Sequence, residues 1–484
     1  MRRLPELVRL HLGRARTTTL HVVWHDTPTG ALAAQGLALA ERRCGRETRW
    51  QLERMRPAKD AVWVPGTPPP VLETVADLGA LTHELPVPLL PVAALAGHLR
   101  DFPAIDTEHA VSISIVEGLL RAVVGEQRVC RVTLQGPPTA VETLALALAA
   151  AVRLSVPRTA LSAEAYATAR PPPPPRHLGA PQLPPQLSVG DAFAYIVAHL
   201  TDVLLHWAPV AAAGQTAEPV HQMRVAIRRL RSAISLFHRA VACSPLDALK
   251  PDLKPIAQVL GPTRDWDVFV AGTGRTVAEA FATDPAVLRL VAAAERQRVE
   301  SYAALKAFLE GPGFRRVGLV LAMLAATRPW EHLPPPAEGD AMAVRQAEAL
   351  AAPLADYAAR MLSRRYDAMI AMEGDPLTLP PAELHALRIM GKRLRYAAEF
   401  FASLYGEKEA NRFISRLAVL QEQLGLLNDG AVAAALMRRL TSTGRQRGYA
   451  AGVVGGFVAA SSVGARAQLA GSWRKFVRLR PFWR

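Results

Sequence analysis

Two segments of this chain carry side chains suited to gripping an anion, and they carry them in the same order. His221-Gln-Met-Arg224-Val-Ala-Ile-Arg228-Arg229-Leu-Arg231 recurs as His385-Ala-Leu-Arg388-Ile-Met-Gly-Lys392-Arg393-Leu-Arg395. The offset is 164 residues, and Phe237 maps to Phe401 at the same spacing. Guanidinium is a planar fork of donors that holds phosphate or carboxylate bidentately, whereas ammonium is a point charge. With His221 at zero on a helical wheel, Arg224, Arg228 and Arg231 fall at about 300°, about 340° and about 280°. Met223, Ile227, Leu230, Ile234 and Phe237 fall between about 160° and about 240°. One helix therefore presents an apolar stripe to a core and, beside it, a cationic strip about 15 Å long. The second copy places His385, Arg388, Lys392 and Arg395 on one strip, with Leu387, Leu394, Ala398 and Phe401 on the other. Arg229 and Arg393 flank the strips at about 80°.

Like charges at i, i+4 and i+7 repel each other. No Asp or Glu lies between His221 and Arg239, and none between Glu383 and Glu399. Such a strip calls for an acidic partner helix or an external polyanion, and its repetition argues against a merely solvated face. The histidines, near the start of each helix, are placed to donate to a phosphate oxygen or to orient an arginine. No second His, Cys or acid recurs beside them at ligand spacing, so neither a metal nor a cofactor is expected. A second matched pair follows at the same offset, Leu260-Gly261-Pro-Thr-Arg264-Asp265 and Leu424-Gly425-Leu-Leu-Asn428-Asp429. We read these as glycine turns whose acids, Asp265 and Asp429, cap the next helix and hold an arginine, a supporting role without catalysis.

These segments need helices to position them, and the second half of the chain supplies long Ala- and Leu-rich periodic stretches. One begins at Ser188 and Asp191 with a capping-box pattern. Before it, Arg170 to Pro185 is proline-rich, a stiff extended spacer. Earlier still the texture is mixed: short β-rich runs at Leu20–Trp24, Val111–Val116 and Val129–Leu134, with a helix expected over Thr139–Leu154. The expected organisation is multi-domain, with an α+β domain at 1–168, a linker at 169–187 and an all-α domain at 188–484, whose repeats meet near 340 and 341.

Of 484 residues, 57 are basic and 42 acidic, a net of +15, and 50 of the bases are arginine. A polyanionic partner fits that surplus. Cys44, Cys130 and Cys243 stand far apart, which disfavours a disulfide framework or zinc site and fits the cytoplasm. MRRLPELVRLHLGR lacks the apolar core of a secretory signal. Tyr449–Ala465 is free of charge but rich in Ala and Gly, which suits a bundle helix better than a transmembrane segment.

The paired H-x2-R-x3-[RK]-R-x-R and LG-x3-D segments resemble the CHAD family, the conserved histidine α-helical domain, over about 188–484. The resemblance implies two pseudo-symmetric four-helix bundles whose basic surfaces face a shared groove, and binding of inorganic polyphosphate there, with association with polyphosphate granules. Carried over by motif, the ligand-contacting residues are His221, Arg224, Arg228, Arg229, Arg231, His385, Arg388, Lys392, Arg393 and Arg395. Lys392 stands where the first copy has Arg228, which keeps the charge but loses the fork.

His25-Asp26-Thr27-Pro28-Thr-Gly30-Ala-Leu32-Ala-Ala-Gln-Gly36-Leu-Ala-Leu39 resembles the signature of CYTH domains, the triphosphate tunnel fold, whose active members hold metal and triphosphate in a β-barrel. The family's E-x-E-x-K strand is missing: Glu6 is the only acid before Asp26, and no lysine precedes Lys59. Ala40 replaces an expected arginine, although Arg42 and Arg43 remain, and Cys130-Arg-Val-Thr-Leu134 stands where an acidic strand is expected. Without carboxylates to hold Mg²⁺, water activation is not available. The expectation is a degenerate, non-catalytic CYTH-like domain with a partial β-barrel.

The tail from Trp473 to Arg484 mixes five cations with four aromatics, suited either to an anionic granule surface or to packing on the bundle. Three function classes follow. The leading one is a non-enzymatic polyphosphate-binding protein in the cytoplasm. The second is a phosphohydrolase acting through the CYTH-like domain on triphosphate or polyphosphate. The third is nucleic-acid binding, disfavoured because the strips carry no aromatic platform and no recognised motif appears.

Overall fold

The computed structural model describes residues 14–55, 62–103, 111–123, 125–169, 178–335, 340–372, 379–440 and 445–484. Residues 170–177 of the expected proline spacer lie outside them. The chain forms two compact units: Met1–Leu178 with Arg315–Thr327, and Gly179–Phe314 with Arg328–Arg484.

In the first unit seven strands form one antiparallel sheet: β1 (Arg16–Asp26), β2 (Leu37–Cys44), β3 (Glu47–Arg54), β4 (Val71–Val75), β5 (Leu90–Phe102), β6 (Ser112–Ala122) and β7 (Gly125–Gln135). Their order is β4-β3-β2-β1-β5-β6-β7. A short helix α1 (Ala31–Ala34) follows β1, and α2 (Pro138–Ala151) and α3 (Leu161–Ala169) follow the sheet. Alternation sends Leu20, Val22 and Trp24 to one face, beside Ala38, Ala40, Ala93, Leu95 and Leu120 of neighbouring strands. Helix α3 packs on that face through Ala165 and Tyr166, and the Tyr166 hydroxyl donates to the His25 carbonyl at 2.5 Å. Arg131 of β7 reaches Glu164 of α3 at 2.5 Å. Helix α2 packs Leu144 and Leu148 against Val111 and Ile113.

The HDTPTG turn is a capping device. The buried Asp26 carboxylate accepts from the amides of Thr27 (2.7 Å), Leu32 (2.9 Å) and Ala33 (3.2 Å). Thr27 Oγ1 accepts from the Ala31 amide, and Gly30 at φ 77° supplies the left-handed step.

The second unit, together with Arg315–Thr327, is helical: α4 (Val189–Ala213), α5 (Glu218–Val241), α6 (Ser244–Phe269), α7 (Arg275–Ala280), α8 (Pro285–Leu309), α9 (Pro312–Thr327), α10 (Ala341–Ala351), α11 (Leu354–Ile370), α12 (Pro381–Phe401), α13 (Glu407–Leu440) and α14 (Arg445–Val477). The repeat extends to whole helices, whose starts keep the 164-residue spacing to within four residues. Starts at Val189, Glu218, Ser244 and Pro285 are answered by Leu354, Pro381, Glu407 and Arg445. Ser188 caps α4 as its sequence predicts, its Oγ accepting from the Asp191 amide at 3.1 Å and donating to the Asp191 carboxylate at 2.6 Å. Ser188 and Pro353, just ahead of α4 and α11, share a β-bridge.

Equivalent core residues of the two copies meet. Phe237 stands 5.9 Å from Phe401, 5.5 Å from Phe193 and 5.3 Å from Tyr357, between ring centroids. Phe193 and Tyr357 are themselves one offset apart. A second apolar cluster joins Trp266, Val287 and Leu290 of the first copy to Leu436, Met437 and Val454 of the second.

Among the described residues one helix, α4, is long and apolar enough to cross a membrane, and most of it is buried within the helical core. Tyr449–Ala465 lies inside α14, which buries Ala450 and Val454. The aromatics of the tail pack inward: Phe476 and Trp483 are buried against Phe413 and Tyr366, and Trp483 Nε1 donates to Ser363 Oγ at 3.0 Å. Trp483→Phe should lower unfolding stability by about 1–2 kcal/mol, from the lost hydrogen bond and ring volume, measured by denaturant unfolding. The tail's cations Arg474, Lys475, Arg478, Arg480 and Arg484 remain exposed.

Candidate cationic site of the paired helices

Helix α5 starts with Glu218 and Pro219 in its first turn and ends with His238 and Arg239, each sign at the favourable end of the helix dipole. Its buried face runs Val220, Met223, Ile227, Leu230, Ile234, Phe237. In α12 the buried face includes Leu387, Leu394, Ala398 and Phe401. Both apolar stripes are therefore consumed in packing, and the basic strips lie beside them.

The LG-x3-D segments are not turns. Leu260–Asp265 lies within α6 and Leu424–Asp429 within α13, so Asp265 caps nothing. Each glycine instead lies beside a guanidinium from another helix. Arg224 Nη1 donates to the Gly261 carbonyl at 2.9 Å and stands 3.4 Å from the Asp265 carboxylate. A Cβ on Gly261 would meet that Nη1 at 3.5 Å, and one on Gly425 would meet Arg388 Nη2 at 3.9 Å. The two copies thus set equivalent arginines against equivalent glycines. The Asp429 side chain lies outside the described residues.

Burial pushes the Arg224 guanidinium below its ordinary pKa, as do the charges of Arg228, Arg264 and Arg388, while Asp265 pulls it back. The mutual influence of Arg224 and Arg388 brings the two strips into one electrostatic neighbourhood. Burial likewise lowers His221, assisted by Arg264, Arg228 and Arg224 and opposed by Glu218. Arg228 is partly buried, and its buried Nε has no hydrogen-bond acceptor among the described residues. Five cation-forming side chains, His221, Arg224, Arg228, Arg264 and Arg388, therefore share a partly buried region in which Asp265 is the acid paired at short range. Fixed donors of one sign, packed closely and partly desolvated, have the chemistry to hold a multivalent anion.

The remaining residues from the motif divide. Arg229 donates from Nε and Nη2 to the Glu399 carboxylate at 3.1 and 2.8 Å, and both side chains are nearly buried, 13% and 11% exposed. Arg395 reaches the other Glu399 oxygen at 2.8 Å and the Gln421 amide oxygen at 3.2 Å. One carboxylate thus ties a first-copy arginine to a second-copy arginine. Lys392 is partly buried, whereas Arg231, His385 and Arg393 are exposed.

Sequence reasoning passed over Arg264 as a cluster member, although it sits within the repeated LG-x3-D segment, where the second copy has Asn428. It also passed over Glu399, four residues beyond Arg395 and hence on the same helical face. No group of three or more His, Cys, Asp or Glu among the described residues is arranged to hold a metal ion.

The family model of the CHAD domain matches residues 194–438. Among solved structures, the crystal structure of the CHAD domain from the plant Ricinus communis is 28% identical, with a TM-score of 0.51, over 63% of this chain and 98% of that one. PptA from Streptomyces chartreusis is 17% identical, with a TM-score of 0.42, over 60% of this chain and 100% of that one. Comparison with the curated proteins finds no match. With matched basic helices, matched LG-x3-D segments and a family match over half its length, this chain belongs to the CHAD family.

Proposed function

We propose that the protein is a non-enzymatic binder of inorganic polyphosphate, held by the strips of two pseudo-symmetric four-helix bundles. The observation that carries this reading is the convergence of Arg224, Arg228 and Arg264 with Arg388 of the other copy. A chain of phosphates offers repeated oxygens to neighbouring guanidiniums and replaces their mutual repulsion with attraction. The ligand would also carry the protein to polyphosphate deposits in the cytoplasm, with the exposed tail cations as an auxiliary contact.

We read the first unit as a degenerate CYTH-like domain without turnover. In support, one sheet face is filled by aliphatic side chains and α3, and Asp26 is consumed as a cap. Incubating the full chain with tripolyphosphate and Mg²⁺ or Mn²⁺ tests this, and released phosphate would overturn it. Binding itself is tested by titrating the full chain with polyphosphates of several lengths across a salt series. Affinity should rise with length and fall steeply with salt. Labelled DNA that outcompetes polyphosphate at equal phosphate concentration would overturn the assignment.

The His221 environment adds a pH dependence. In the free protein its pKa lies below 6.5, and a phosphate beside it raises that value, so binding takes up a proton. The added affinity is fully present below the free-state pKa and is lost as pH rises through the bound-state pKa. Over that window affinity should fall by up to about tenfold per pH unit, and His221→Gln should flatten the profile. Calorimetry in buffers of different ionisation enthalpy reads the proton directly.

A further inference from the structure

A second group of arginines stands apart from the paired-strip cluster. Arg365 of α11 is partly buried, and its Nη1 donates to the Arg393 main-chain carbonyl of α12 at 3.4 Å, a long contact. Several other partly buried arginines of the helical unit have carboxylates: Arg229 and Arg395 share Glu399, and Arg298 holds Glu295 and Asp267. Arg365 has no ion pair among the described residues, and its charged neighbours include Arg393 and Arg364. Asp367, three residues from Arg364 on the same helix, is taken by Arg484 at 2.5 Å. Burial first, then Arg393, push the Arg365 guanidinium down to about 10; Tyr357 opposes this, and Arg364 adds a lesser push.

This group is not a continuation of the strip. Arg388 and Arg393 are five residues apart on α12, about 7.5 Å along the axis and about 140° around it. Folding has placed an arginine where it is partly desolvated and repelled, with no carboxylate paired to it among the described residues to offset the cost. A phosphoryl group between Arg365 and Arg393 would supply that anion, with Arg364 at the exposed side.

We propose that Arg365 and Arg393, with Arg364, form a second phosphate subsite on another face of α12, engaged by long polyphosphate after it leaves the paired-strip cluster. The proposal rests on the polyphosphate-binding reading and adds a second point of contact to it. Because a short polymer held at the first cluster does not extend to the second, the subsite selects for length. Losing one charge-assisted contact weakens binding by about tenfold.

The test titrates the full chain with long-chain polyphosphate and with tripolyphosphate, using Arg365→Gln, Arg393→Gln and the double variant Arg224→Gln, Arg228→Gln. Arg365→Gln and Arg393→Gln should each weaken long-chain binding by about tenfold and leave tripolyphosphate within about twofold. The salt slope for the long chain should shrink by about 0.7 for each lost contact. Unliganded Arg365→Gln should melt no lower than the parent, because removing a repelled cation costs no ion pair. Wild-type long-chain binding in both single variants, with loss in the double variant, would overturn the subsite and leave the proposed function standing. Wild-type binding in all three would overturn both. If Arg365→Gln melts early and loses both ligands, Arg393→Gln, at an exposed position, decides: selective loss of the long chain supports the subsite, and no loss overturns it.

Discussion

Replacing Arg224, Arg228, Arg388 and Lys392 with glutamate should abolish polyphosphate binding, a loss of about a thousandfold or more. The size follows from the number of contacts. Each charge-assisted hydrogen bond to an anion contributes about 1.5–3 kcal/mol, and four reversals also introduce repulsion. Simple addition overstates such a sum where the groups share one ligand, so the lower figure is expected. Four fewer cations should also lower the slope of log affinity against log salt by about 3. The fold should survive, because the apolar stripes of α5 and α12 lie on other faces. Far-ultraviolet circular dichroism and the melting temperature check that, and titration with long-chain polyphosphate checks the rest. A quadruple variant that folds and binds with parental affinity would show that the cluster is not the site.

Glu399→Ala should destabilise the helical unit by about 3–5 kcal/mol, the usual cost of removing one partner from a buried ion pair. Glu399 and Arg229 are only 11% and 13% exposed, so solvent screens the pair weakly. Two guanidiniums, Arg229 and Arg395, converge on the one carboxylate, and both lose it together. Glu399→Gln keeps the shape and one acceptor while removing the charge, and should cost less. Denaturant unfolding with matched m-values reads both. The contrast with the first prediction is diagnostic: Glu399 variants lose stability, whereas strip variants lose ligand. A Glu399→Ala protein as stable as the parent would place the junction between the copies elsewhere, for instance in the Phe193, Phe237, Tyr357 and Phe401 cluster.

Much of this was legible without coordinates because it is periodic. Helical spacing placed Met223, Ile227, Leu230 and Phe237 on one face of α5, and all are buried. The 164-residue offset, seen first in short motifs, recurs to within four residues in the starts of four helix pairs. Local chemistry told as much at Ser188, whose hydroxyl caps α4 through contacts within four residues. The LG-x3-D segments misled, since glycine normally marks a turn. Here Gly261 is helical, and the guanidinium beside it, that of Arg224, comes from another helix. No local signal reports such a visitor.

The sequence by itself determined the repeat, the two amphipathic helices, the surplus of arginine and the family to which the chain belongs. Tertiary structure decided which arginines are available. Arg229 and Arg231 belong to the same repeated motif, yet one is nearly buried against Glu399, 170 residues away, and the other is exposed. Arg264 joins the cluster from α6, and Arg365 meets Arg393 from α11. The physical reason is that charge acts through space. Periodicity fixes the face of its own helix on which a cation lies, but only packing sets the carboxylate, carbonyl or second cation it faces.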